Sequence, residues 1–128
     1  DIDESADYRM SADKSKLKQV FENLIDNAFK YTPKGQVKVS LFRDPKKSKI
    51  IVKITDTGIG VSEDNLPKLF EKFSRARNAD QTNKKGTGLG LFVAKEIVKS
   101  HKGDIYATSP GEGKGTEFTV ELDPINKI

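Results

Sequence analysis

Asn23-Leu24-Ile25-Asp26-Asn27-Ala28-Phe29-Lys30-Tyr31-Thr32-Pro33 reads as the last turns of an amphipathic helix running into its own stop. Followed back to Asp13, a residue suited to capping a helix N-terminus, the apolar set is Leu17, Val20, Phe21, Leu24, Ile25 and Ala28. These residues stand at i, i+3, i+4, i+7, i+8 and i+11, the spacing of one helical face, which predicts a helix over about 14–31. Lys18, Glu22 and Asp26 fall on the outward face. Pro33 lacks the N–H that the ladder needs and biases Thr32 away from helical backbone. The helix therefore ends within Tyr31-Thr32-Pro33-Lys34-Gly35.

Downstream, the apolar period changes to two. Val37, Val39 and Leu41 alternate with Lys38 and Ser40, predicting a strand over 36–43. Asp44-Pro45-Lys46-Lys47-Ser48 reads as a turn, and Lys49 to Asp56 as the second strand of an antiparallel hairpin. Ser62 is placed to cap a short helix carrying Leu66, Leu69, Phe70 and Phe73. Residues 74–85 hold no sizeable apolar side chain, and so long a loop in a compact domain is usually functional or mobile. Gly86-Thr87-Gly88-Leu89-Gly90-Leu91 then enters a helix with the stripe Val93, Ala94, Ile97 and Val98, ending near His101 with Gly103 as a left-handed cap. Strands over 104–109 and 116–122 complete the pattern, and residues 1–12 read as a frayed start or a piece of a strand. A few helices with two hairpin-like strand pairs predict an α+β fold, a two-layer sandwich.

The chain of 128 residues is long enough for one domain with a real core. It holds no Cys, which excludes disulfides, thiolate zinc sites and a cysteine nucleophile. Its one histidine, His101, excludes multi-histidine metal sites and leaves a Ser-His-Asp triad a single candidate base. No apolar run is long enough for a membrane span or a signal sequence, so a soluble intracellular domain is expected. Lys and Arg outnumber Asp and Glu by 23 to 19, a net charge of +4. The lysines alternate with acids and no basic helix emerges, so they read as solvated faces rather than as a nucleic-acid surface.

Three features exceed the needs of packing. On the first helix Asn27 lies about 40° from Asn23, with Lys30 about 20° to the other side, so the three form one stripe at the rim of the apolar face. Asparagine competes with the helix backbone, so two in register there need partners. Asp56 shares the inward face of its strand with Ile50, Val52 and Ile54, where a carboxylate must be paired or hydrogen-bonded. An acceptor beside the bare backbone of Gly58 and Gly60 suits a polar ring that donates N–H; capping a nearby turn is the other reading. Gly86, Gly88 and Gly90, where the polar loop meets a helix, offer amides to an anion. They match neither the P-loop nor the dinucleotide fingerprint.

Together and in this order these segments resemble the N, G1, F and G2 boxes of the ATP-binding domain of sensor histidine kinases, a family with the Bergerat fold shared by gyrase-type ATPases. Asn23 to Thr32 resembles the N box, Asp56-Thr57-Gly58-Ile59-Gly60 the G1 box, and Leu69-Phe70-Glu71-Lys72-Phe73 with Arg75 the F box. Gly86 to Leu91 resembles the G2 box, and Gly115-Thr116-Glu117-Phe118 the entry to the last strand. The resemblance implies a mixed, mostly antiparallel sheet covered on one face by about three helices, with residues 74–85 as a mobile ATP lid. It implies that Asp56 accepts the adenine amino group with Thr116 nearby, that Gly58 and Gly60 let the backbone pass the base, and that Asn27 holds Mg²⁺. Asn23, Lys30 and Tyr31 would line the phosphate and ribose side. Arg75 would reach the γ-phosphate, with Phe73, Lys85, Gly86, Thr87, Gly88, Leu89, Gly90 and Leu91 completing the nucleotide site.

The same resemblance implies function. Hydrolytic relatives carry Glu where this chain has Asn23, and an amide cannot accept the proton of an attacking water. Transfer from Mg-ATP to a histidine on a separate dimerisation domain of the same parent protein is therefore expected, with a response regulator downstream. Residues 1–128 would be the catalytic domain alone, cytoplasmic and without direct membrane contact, whether or not the membrane anchors the parent. The alternatives are a serine-directed kinase of the anti-sigma-factor type and a nucleotide-binding regulatory module. His101 fits a structural position at the end of its helix better than a phosphoacceptor.

Overall fold

The computed structural model describes residues 1–72 and 89–125. Helix α1 spans Lys14–Lys30, strand β1 Val37–Asp44 and strand β2 Lys49–Asp56; helix α2 spans Gly90–Ser100, β3 Asp104–Thr108 and β4 Thr116–Leu122. Asp13 caps α1 by accepting the Lys16 N–H at 3.1 Å, satisfying one of the donors a helix start leaves orphaned. At the other end the Tyr31 and Thr32 amides fold back to Asn27 O and Phe29 O before Pro33 stops the ladder.

The sheet order is β1-β2-β4-β3, every strand pair antiparallel. Both expected hairpins form, and β2 and β4 join them. Ile50, Val52, Ile54 and Asp56 pair with Leu122, Val120, Phe118 and Thr116, so the apolar rows of both central strands end in a polar rung. Helix α1 lies over β1 and β2, and α2 lies beside α1 and over β3. Leu17, Val20, Leu24 and Ala28 of α1 and Ala94, Ile97 and Val98 of α2 bury with Ile54, Phe118, Val120 and Leu122. Each large side chain so buried contributes about 1.5–3 kcal/mol. The architecture is the expected two-layer α+β sandwich.

Several local expectations change. The helix expected after Ser62 is a single 3-10 turn, Leu66–Lys68, and the described residues hold two α-helices. The Ser62 carbonyl accepts from Asn65 and Leu66, but the next donor an α-ladder needs belongs to Pro67, which has none. Helix α2 starts at Gly90, behind Leu89. After α2 the left-handed residue is Lys102, φ 60°, not Gly103. Gly103 is required by space, because a Cβ there would meet the Glu121 carbonyl oxygen at 2.5 Å. Residues 1–12 are partly anchored: Ile2 bridges Leu41 in parallel, the Tyr8 hydroxyl reaches Asp3 O and Leu41 O, and Ile125 N–H reaches Arg9 O. The expected lid, residues 74–85, lies outside the described residues.

The sheet face away from the helices carries a polar ladder that accounts for part of the scattered lysine charge. Lys53 and Thr55 meet Glu117, Lys49 meets Asp123, and Lys47 meets Glu121 at 3.0 Å. Tyr106 O–H also donates to Glu121, at 2.7 Å. The side chain of Glu121 is only 8% exposed. The Tyr106 hydroxyl first, and the Lys47 ammonium after it, hold its carboxyl below the ordinary 4.5 against the opposing pull of burial. A carboxyl depressed in the fold stabilises above its ordinary value and loses that contribution as pH falls through the folded value. The stability gap between wild type and Glu121→Gln is therefore expected to shrink as pH falls from about 6 to about 3 in denaturant melts. A gap independent of pH would remove Glu121 from the acid response.

Candidate nucleotide site

At the end of β2, the inward face that carries Ile54 next presents Asp56, 3% exposed. Directly across the ladder stands Thr116 of β4, 2% exposed. One oxygen of Asp56 accepts the Gly58 N–H at 2.9 Å, so the carboxylate shapes the turn that follows it. The capping role considered from the sequence is thus present, and it uses one oxygen. The Thr116 hydroxyl is buried without a hydrogen-bond partner among the described residues. A buried hydroxyl left unpaired is costly, so this one calls for a partner such as a water or a ligand.

The turn after Asp56 is pressed against the C-terminus of α1. Ile59 N–H donates to Tyr31 O at 3.0 Å, and a Cβ on Gly58 would lie 2.0 Å from that same oxygen. Only glycine fits at position 58. Thr32, to which the sequence pattern assigns no role, belongs here as well: its hydroxyl is buried with no partner among the described residues, 2.6 Å from where that Cβ would sit. Its signal in the sequence was its place one residue before the helix-stopping proline.

Asn23, Asn27, Lys30 and Tyr31 are all half-buried, at the rim predicted for the first three. The Asn23 amide donates to the Gly90 carbonyl at 3.1 Å, tying α1 to the first residue of α2. Leu89, Gly90 and Leu91 are thereby brought to the Asn23 side. The Nδ2 end of Asn27 is buried with no partner among the described residues. Rotation of χ2 exchanges the two ends of an amide, so this position can present either a donor or a hard oxygen. Lys30 Nζ stands 6.0 Å from the Tyr31 ring centroid. Phe73, Arg75, Lys85, Gly86, Thr87 and Gly88 lie outside the described residues. Among the described residues no cluster of three His, Asp or Glu side chains is arranged to hold a metal, and no helix is long and apolar enough to cross a membrane.

His101 has both ring nitrogens engaged. Nδ1 meets Ile97 O at 2.9 Å and must carry the proton there, so Nε2 accepts the Asp13 N–H at 3.0 Å. The ring joins the end of α2 to the start of α1, the structural position expected of it.

What the arrangement can do chemically is bind: a buried acceptor and hydroxyl on one rung, bare backbone beside them, and an amide on the facing helix. Comparison with known proteins agrees. The family model described as histidine kinase-, DNA gyrase B- and HSP90-like ATPase matches residues 12–126. The chain is 40% identical over 117 residues to the sensor histidine kinase WalK of Bacillus subtilis, covering 91% of this chain and 19% of WalK. It thus spans about a fifth of the length of that relative. Among solved structures it resembles a mycobacterial sensor histidine kinase, MprB, with TM-score 0.75, 31% identity and coverage of 89% of this chain and 75% of that one. It also resembles full-length ShkA solved in complex with AMPPNP, with TM-score 0.73, 28% identity and coverage of 87% and 22%.

Proposed function

The chain belongs to the histidine kinase-, DNA gyrase B- and HSP90-like ATPase family, and from that membership we propose that it is the catalytic domain of a sensor histidine kinase, residues 1–128 binding Mg-ATP between the end of α1 and the Asp56–Thr116 rung. The observation that carries this reading is the buried rung itself. An adenine amino group donating to Asp56 needs an acceptor that water does not reach, and the Thr116 hydroxyl lacks, among the described residues, a partner that the base edge can supply. Gly58 and Gly60 let the turn beside the rung pack closely against Tyr31 O and Gly111 O.

Asn27 fits a magnesium ion: turning its half-buried amide about χ2 brings a hard oxygen to the end where Nδ2 has no partner among the described residues, and Mg²⁺ takes few protein ligands beside phosphate oxygens and water. When bound, the ion neutralises phosphate charge during transfer. Asn23, fixed by its bond to Gly90, has no lone pair basic enough to activate water, which favours transfer over hydrolysis. Lys30 and Tyr31 border the ribose and phosphates. Arg75, Lys85 and the amides of Gly86 and Gly88 are the proposed phosphate contacts on the strength of the motif resemblance, with Phe73 and Thr87 beside them. The acceptor is a histidine on the parent protein's dimerisation domain, the downstream partner a response regulator, and the compartment the cytoplasm.

The test supplies a histidine-bearing dimerisation domain and ATP labelled at the γ-phosphate. Label on that domain that is lost in acid and kept in base is the expected product. Acid-stable label on serine, or free phosphate alone, would contradict the histidine-kinase reading.

A further inference from the structure

Two loops close behind the base site, and one side chain ties them. The first is the turn 57–61 that follows Asp56; the second is 109–115, between β3 and β4. Their backbones meet through Gly113 N–H to Ile59 O at 2.6 Å and Gly115 N–H to Gly58 O at 3.1 Å. Gly60, φ 70°, faces Gly111 so closely that a Cβ would lie 2.2 Å from its carbonyl oxygen. Into this seam Ser109 projects a half-buried hydroxyl. Its Oγ accepts Val61 N–H at 3.1 Å and Gly111 N–H at 3.2 Å, and donates to Gly115 O at 2.6 Å, with Gly111 O at 3.2 Å. One atom thus accepts across the seam from Val61 and uses its donor within its own loop, on the residue before Thr116.

We propose that Ser109 is a positioning residue for the nucleotide base. It touches neither base nor phosphate; it sets the Gly58–Val61 backbone against Gly111–Gly115, and so fixes the distance between that turn and the Asp56–Thr116 rung. The proposal rests on the adenine reading of the rung and goes beyond it. In a seam lined by glycines at 58, 60, 111, 113 and 115, the Ser109 hydroxyl adds a side-chain bond to Val61 N–H beside the backbone bonds that cross it. Deleting the hydroxyl orphans Val61 N–H and lets the turn shift.

Calorimetric titration of adenosine and of ATP tests this with wild type, Ser109→Ala and Ser109→Thr, each held well below its melting midpoint so that only folded protein binds. Ser109→Ala is expected to weaken both ligands by the same factor, about fivefold or more, because the loss lies at the base. Ser109→Thr, which keeps the hydroxyl, is expected to stay within about twofold of wild type. Amide exchange should speed at Val61 and Gly111 in the alanine variant while Ile54 and Phe118 stay protected, which a global loss of stability would not produce. Wild-type affinity in Ser109→Ala, or equal losses in the alanine and threonine variants, would overturn the proposal. If Ser109→Ala does not fold, Ser109→Thr decides alone, near-wild-type adenosine binding supporting the role and a clear loss overturning it. A wild type that binds ATP but not adenosine would instead refute the adenine reading, and the Ser109 role with it.

Discussion

Asp56→Asn is expected to weaken adenosine and ATP binding by at least about tenfold while the fold is kept. The carboxylate does two things at one place. One oxygen holds the Gly58 N–H at 2.9 Å, and asparagine can keep that bond through its own carbonyl oxygen. The other end then becomes an NH₂ at a position 3% exposed, where the proposed ligand also presents N–H. Donor faces donor, and neither finds water. Leaving such groups unpaired costs about 1–3 kcal/mol, and 1.4 kcal/mol is a factor of ten. Titration calorimetry with a parallel thermal melt checks it: a large affinity loss with a small change in melting is the expected pair of results. Wild-type affinity would remove Asp56 from the site.

Asn27→Ala is expected to erase the magnesium-dependent part of ATP affinity, about 10–100-fold or more, and to leave adenosine binding untouched. The side chain is half-buried at the rim of α1, and its Nδ2 has no partner among the described residues, so truncation strands none of their groups on that side. Titrating ATP in magnesium and in chelator separates the effects. Wild type should differ strongly between the two conditions and Asn27→Ala hardly at all. A variant that keeps the magnesium dependence would place the ion elsewhere.

Which parts were legible in the sequence follows from how far each signal extends along the chain. α1 and both central strands were readable because their periods repeat over many residues: Leu17 to Ala28 in steps of three and four, Ile50 to Asp56 in steps of two. The same alternation that placed Asp56 inward also places Thr116 with Phe118, Val120 and Leu122, so the rung could have been read from period alone. The helix expected after Ser62 failed on one missing donor at Pro67, which the apolar spacing of Leu66, Leu69 and Phe70 does not register. The Ile2–Leu41 bridge is a single pairing and leaves no pattern to detect. Gly103 was assigned to the left-handed position by residue type, and the decisive fact, the nearness of Glu121 O, belongs to a strand distant in sequence. Ser109 was silent for the same reason. Its partners at 111 and 115 lie in its own loop, but Val61, the one across the seam, becomes a neighbour only once the strands pair.

The central claim is that an adenine nucleotide seats on the Asp56–Thr116 rung against the C-terminal turn of α1. The most direct measurement is an amide NMR titration of the wild-type chain, first with adenosine and then with Mg-ATP. Adenosine is predicted to shift the amides of Thr57 to Gly60 and of Gly115 and Thr116. Mg-ATP is predicted to add shifts at the Asn27 side-chain amide, Lys30 and Tyr31. Saturable shifts confined to the open face of the sheet, around Lys47, Tyr106 and Glu121, or no shift at the rung at saturating adenosine, would contradict it.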